Sequence, residues 1–373
     1  MRNSLILIVF SLVLLLWSCF KSSPKTISLY ADMQLTKGLY PGPWIKPTKN
    51  MQSISAKECG SCHQKQYEEW YGSRHQLGFM NSIFLEGYKF EKKDFCVNCH
   101  ALLQNQVQEI GNHTVEELEK MPKNLLTLTH EGITCVTCHV RDNKILTLHD
   151  KKDNGVHEFK TAKNLGSPDL CGNCHQFNFP NNSEDIPRFT HEPMQNTLQE
   201  WRYYAQKMPQ KSERKDIVPN SCQSCHMPEG KHTFRGAHDT TLLKNSIQLR
   251  FYEKHDSIFA EIKSVGVGHE YPTGDLFRHL NLTITNSKNE VIFKYRIGRE
   301  FAFNGLNMST IKNTSLKPNE TQHVFIGLKK DIKNAEYNLT YHYTSERDEE
   351  RSPHLKAIFT LKKGKMRSQL NVL

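Results

Sequence analysis

The sequence predicts a two-part fold: an α-helical region too poor in apolar residues to build a core from its own side chains, then a C-terminal antiparallel β-sandwich. Two observations carry this. Residues 57–245 hold sparse hydrophobics, local helical patterns and five repeats of C-x-x-C-H: CGSCH at 59–63, CVNCH at 96–100, CVTCH at 135–139, CGNCH at 171–175 and CQSCH at 222–226. Residues 246–373 switch to period-two alternation and contain no cysteine.

The repeats use ten of the eleven cysteines. Histidine is 19 of 373 residues, so its presence after all five pairs has chance odds of roughly one in a few million. Zinc sites or short disulfide loops do not require that histidine. C-type haem attachment does, because two thiols add to the porphyrin vinyl groups while the adjacent imidazole binds iron. Five covalent haems are therefore expected, on Cys59 and Cys62, Cys96 and Cys99, Cys135 and Cys138, Cys171 and Cys174, and Cys222 and Cys225, with His63, His100, His139, His175 and His226 as proximal ligands. Porphyrins then supply the core that 57–245 lacks, making it an α-helical, haem-packed domain.

Helices are expected in QKQYEEWYGSRHQLGFMNSIF after the first motif, in TVEELEKM at 114–121, and in MQNTLQEWRYYAQKM at 194–208, which Pro209 follows. The motifs share nothing beyond the haem signature, so no solenoid repeat is expected. In the β-sandwich, SIQLRFYEK, SIFAEIKSV, HLNLTIT, VIFKYRI, TQHVFIGL, YNLTYHYT and LKAIFTL read as seven strands, with NSKNE and LKPNE as turns.

The first nineteen residues, MRNSLILIVFSLVLLLWSC, have a short basic start and an apolar run from Leu5 to Trp17. That is a secretory signal, too short for a comfortable membrane span. Its end resembles a bacterial lipobox, apart from Trp17, so residues 1–18 are expected to be removed and Cys19 lipidated. Residues 19–56 are polar and proline-spotted and read as a tether. The body is thus expected in the bacterial cell envelope, periplasmic or on the outer membrane, held by a lipid anchor. The net charge of +10 could suggest a nucleic-acid partner, but there is no basic block or nucleic-acid motif. Haem propionates account for it better: with neutral axial ligands each ferric haem adds about −1 and each ferrous haem about −2.

Fourteen histidines remain beyond the five proximal ones, enough for two imidazoles on every iron. That matters because a six-coordinate iron carries electrons, whereas an open one can bind a small molecule. If residues 63–75 are one helix, His63 and His75 lie about 18 Å apart along it and cannot share an iron. His75 is then a surface histidine or a ligand to another haem.

The run C-x-x-C-H-x3-Q-x3-W-x4-H, with Gln66 and Trp70, resembles the start of the cytochrome c-552/c-554 type of multihaem cytochrome. Its best-known member is a four-haem protein that takes electrons from hydroxylamine oxidoreductase. CVNCH, GITCVTCH and LCGNCH resemble that family's later motifs, so the likeness covers roughly residues 57–180. The resemblance implies that His75 binds the third haem and that the first haem's distal histidine follows the third motif, here His149. The four-haem relative leaves its second haem without a distal ligand; His130, in HEGITC, is the candidate to close it here. CQSCHMPEGKHTFRGAHD and GHEYPTG resemble stretches of larger multihaem cytochromes, which makes His232, His238 and His269 candidates for the fourth and fifth haems, with His191 as runner-up. Met227 directly follows His226, cannot turn back onto the same iron, and reads as packing.

The function expected is a pentahaem c-type cytochrome that relays electrons between redox partner proteins, and no catalytic residue is assigned. The alternative is a multihaem reductase or oxidase of a small nitrogen or sulfur compound at one five-coordinate haem. All five motifs end in histidine, unlike the lysine-ended catalytic motif of ammonia-forming nitrite reductases. A subunit whose β-region docks a partner enzyme is a third reading, compatible with the first.

Overall fold

The computed structural model describes residues 44–373 apart from 91, 93, 123–124, 181–188, 205–206, 208–220, 304–307, 333, 356, 367–369 and 373. The signal segment and Cys19 lie outside the described residues. Residues 44–56, expected as the end of a tether, belong to the packed body. Ile45 and Ile54 are buried against Leu103, Val136 and Val140. The Ile45 amide donates to Asn105 Oδ1 at 3.0 Å, and Asn105 Nδ2 returns a bond to the Ile45 carbonyl at 3.1 Å. Trp44 stays exposed.

The haem-motif region is less regular than expected. Its helices are short, and two small sheets lie among them. Strands β1 (Val140–Arg141), β2 (Lys144–Thr147) and β3 (Phe159–Thr161) form one, with β2 and β3 parallel. Strands β4 (Phe177–Pro180) and β5 (Phe189–Gln195) form the other. Each motif occupies a helix or its end: Ala56–Gly60, Asp94–His100, Cys135–His139, Pro168–His175 and Cys222–His226.

The long helix expected after the first motif is broken. It spans Gln64–Trp70, and a second helix runs Ser82–Phe90. Gly72, at φ 80°, turns the chain between them. The other two helices form as shorter pieces, Val115–Lys120 behind a Thr114–Glu117 capping box and Thr197–Tyr204.

The C-terminal region holds all seven expected strands. They are β6 (Ile247–Lys254), β7 (Ser257–Ser264), β8 (His279–Thr285), β9 (Val291–Phe303), β11 (Thr321–Leu328), β12 (Glu336–His342) and β13 (Ile358–Lys365). Two more were not legible: β10 (Met308–Asn313) and β14 (Leu370–Val372). The sheets run β10-β9-β8-β12-β13 and β11-β7-β6-β14. All pairings are antiparallel except β14 on β6. Alternating side chains from both sheets meet in one core that includes Phe251, Ile258, Ile262, Leu280, Leu282, Leu339 and Tyr341. Among the described residues no helix is long and apolar enough to cross a membrane.

Candidate functional site

All ten motif cysteines and all five motif histidines line one cavity of about 2920 Å³. The variable residues inside the motifs explain how the attachment helices pack on one another. Gly172 in CGNCH lies under Leu198, and a Cβ there would meet the leucine at 2.2 Å. In CQSCH, Gln223 Nε2 donates to the Ser167 carbonyl at 2.6 Å, tying the fifth motif to the start of the fourth. In CVTCH, Val136 and Thr137 are buried, and Arg141 donates to the Val136 and Thr137 carbonyls at the helix end. Glu131 receives the Ala56 amide and the Thr134 hydroxyl, both at 2.8 Å, which staples the first motif to the third.

The attachment sites therefore touch. The thiols of Cys59 and Cys135 lie beside each other, as do those of Cys99 and Cys174, and of Cys171 and Cys222. Cys138 and Cys174 are close enough to interact electrostatically. The spatial order is first, third, fourth, fifth, with the second beside the fourth. None of the ten is in a disulfide. Among the described residues no three His, Cys, Asp or Glu side chains converge as a metal cage.

Four of the five motif histidines face a second imidazole across a gap. His63 and His157 have ring centres 6.4 Å apart, His75 and His175 6.5 Å, His139 and His232 6.2 Å, and His226 and His269 6.2 Å. Two imidazoles that share one metal, each nitrogen about 2 Å from it, have ring centres about 6 Å apart. Several rings have Nδ1 tied to a backbone carbonyl: His139 to Leu146 at 3.2 Å, His269 to Glu270 at 2.8 Å, His226 to Arg235, and His100 to Gly78 at 2.7 Å. That fixes the tautomer and leaves Nε2 as the free lone pair. Burial lowers the pKa of His100, His139 and His269, which favours the neutral form that binds metal. Burial, then the neighbouring His175 and His226, push His75 down to about 3. Burial, then Arg278, push His175 down to about 4. Cavity, thiols and imidazole spacing together fit covalent haem.

The partners differ from several expectations. His75 faces His175 of the fourth motif, not His139 of the third. Its loop is locked by close backbone packing rather than by a helix. Gly132, at φ 51°, lies so near that a Cβ would sit 2.5 Å from the His75 carbonyl, which itself accepts the Ile133 amide at 2.8 Å. Trp70 Nε1 donates to the Ile133 carbonyl at 2.9 Å, which accounts for the tryptophan in the opening motif. His149 does not face His63; it is exposed, and His157 stands opposite the first motif instead. His157 was missed. Its local signal was the DNG turn, where Asn154 Oδ1 accepts the His157 amide at 2.8 Å. His232 faces the third motif, not the fourth or fifth, while His269 faces the fifth.

His130 does not close the second site. Its Nε2 bonds the Leu118 carbonyl at 2.9 Å and its Nδ1 receives the Thr127 amide at 3.2 Å, so neither nitrogen is free. The ring lying on His100 is that of Phe84, with centres 3.7 Å apart, and among the described residues no histidine faces His100. His238 stacks on Tyr343 with centres 4.4 Å apart and faces no motif histidine. His191 is exposed on β5.

A family model described as seven times multi-haem cytochrome CxxCH matches residues 44–254, more than half of the chain. The chain belongs to this multihaem cytochrome family, here with five motifs. Among solved structures, a penta-heme cytochrome c552 from Thermochromatium tepidum is similar at 19% identity and a TM-score of 0.58, covering 83% of this chain and 97% of that one. That likeness is one of fold. No curated protein matches the chain.

Proposed function

We propose that this chain is a pentahaem electron relay of the bacterial cell envelope, passing electrons between redox partner proteins and held to a membrane by lipid on Cys19. Haem iron, when bound, takes up and releases single electrons. The chain's part is to hold the irons close together and to seal them. The observation that carries this is the set of four imidazole pairs at 6.2–6.5 Å. His157, His75, His232 and His269 are the distal ligands opposite His63, His175, His139 and His226. The contiguity of the attachment sites supports a continuous path through the first, third, fourth and fifth, with the second as a branch from the fourth.

Electron paramagnetic resonance of intact protein with five haems per chain tests this. Four low-spin bis-histidine irons are expected; two or fewer would sink the reading. Cys19→Ser is expected to release the protein from membranes, and a variant still processed and bound would place the anchor elsewhere.

That no histidine among the described residues faces His100 favours a second reading, in which that iron binds a small nitrogen or sulfur compound. Here a high-spin ferric signal is expected that nitric oxide abolishes, together with turnover above that of free haem.

A further inference from the structure

His238 has no place among the axial pairs, yet it sits at the centre of a polar cluster on the cavity wall. Arg74 Nη2 donates to His238 Nδ1 at 2.6 Å. An arginine can only donate, so the ring accepts at Nδ1 and carries its one proton on Nε2. Its other face stacks on Tyr343, at 4.4 Å and 8° between planes, and the Tyr343 hydroxyl is spent on the Ala237 carbonyl at 2.8 Å. Arg278 comes from the loop before β8. It donates to the Thr273 carbonyl at 3.3 Å and bonds the side chain of Tyr341.

Both guanidinium groups are near enough to act on His238, and Arg278 is near enough to act on Arg74. Among the described residues neither forms an ion pair with a carboxylate. Arg235, also on the cavity wall, has its Asp239 at 2.6 Å. Two like charges converging on one neutral ring, without a counter-ion, are an arrangement that a bound anion relieves. Their position says which anion. Arg74 precedes His75 in the chain, and Arg278 acts directly on His175, the ring that His75 faces. Both line the same cavity as Cys171 and Cys174.

We propose that Arg74, Arg278 and His238 form a carboxylate receptor that takes a propionate of the haem attached at Cys171 and Cys174 and holds that haem's reduction potential up. The proposal rests on the pairing of His75 with His175. A soluble carboxylate has the same chemistry, and the test separates the two sources.

The experiment is a spectroscopic redox titration of holoprotein with five haems, in wild type, Arg74→Gln, Arg278→Gln and the double variant. One of five midpoint potentials is expected to move to lower values in each single variant and further in the double, with Arg278→Lys moving it least. The number of low-spin irons should stay at the wild-type value. A loss of low-spin signal already in wild type refutes the axial pairing, whereas unmoved potentials in the fully loaded variants refute the receptor. Formate added to wild type is expected to change nothing. A saturable shift that both arginine variants abolish would assign the receptor to a soluble anion and overturn the propionate assignment. If the double variant does not take up five haems, the single variants decide by the same criterion. If neither single variant does, His238→Gln decides by the same criterion.

Discussion

Histidine pairs occur in both regions of the molecule, and they are built differently. In the motif region, rings face each other across 6.2–6.5 Å. In the C-terminal sheets, His279 on β8 and His342 on β12 stack directly, with centres 4.4 Å apart and 16° between planes. The sheet pair has no room for a metal between the rings. Its nitrogens are also committed. His279 Nδ1 donates to the Phe277 carbonyl at 2.9 Å, His342 Nδ1 meets Glu349 at 2.7 Å, and the Asn281 amide lies 3.4 and 3.3 Å from the two Nε2 atoms. In the motif region Nδ1 of His139, His226 and His269 is tied to a backbone carbonyl, while Nδ1 of His157 and His232 has no hydrogen-bond partner. Burial and residue type therefore do not identify a ligand; the gap and the unspent nitrogen do.

The comparison is broken most directly by removing one ring from each region. His75→Ala and His232→Ala should each convert one low-spin iron to high spin while the fold persists, seen by paramagnetic resonance and magnetic circular dichroism. The converted iron should be that of the fourth motif for His75 and the third for His232. An unchanged low-spin count in either would demote that histidine to a packing role.

His342→Ala should leave every haem signal unchanged. It removes partners from Asn281, Thr340 and Glu349, so a loss of about 2–3 kcal/mol in stability is expected on chemical denaturation. A change in spin state would show that the two kinds of pair had been mistaken for one another.

Acid sharpens the contrast further. Burial, opposed in part by the Phe277 carbonyl, pushes His279 down to about 3. The unfolded chain takes up this proton near pH 6.5, while the folded sheet refuses it. The stability contributed is therefore complete above pH 6.5 and is lost progressively as pH falls toward 3. Hydrogen exchange at β8 and β12 should quicken across that window, and His279→Gln should flatten the dependence. An equally steep profile in the variant would place the acid sensitivity elsewhere.

The smallest effect expected is that of His130→Ala. It should loosen the Leu118 and Thr127 contacts but leave the spin state of the iron at His100 as it was. A shift there would restore His130 as a ligand.

The five attachment sites could be read from five short contiguous strings because covalent haem binding demands its thiols and proximal imidazole within one helical turn. The seven strands from β6 to β13 were legible because alternation is local. β10 and β14 were not: each is short, and β14 gains its identity only by pairing with β6, more than a hundred residues earlier. The histidines opposite the motif histidines lie between these cases. His157, His75, His232 and His269 are ordinary histidines in sequence, and which motif histidine each faces depends on loops set by remote contacts. The helix expected through His75 stopped at Trp70, and the Gly132 backbone carried His75 to the fourth motif rather than the third. The sequence by itself determined that the chain carries five complete C-x-x-C-H motifs and where they lie, since that signature is local. Only the tertiary structure decided which imidazole faces which motif histidine, and that among the described residues no histidine faces His100, because such a pair joins segments that nothing but packing brings together.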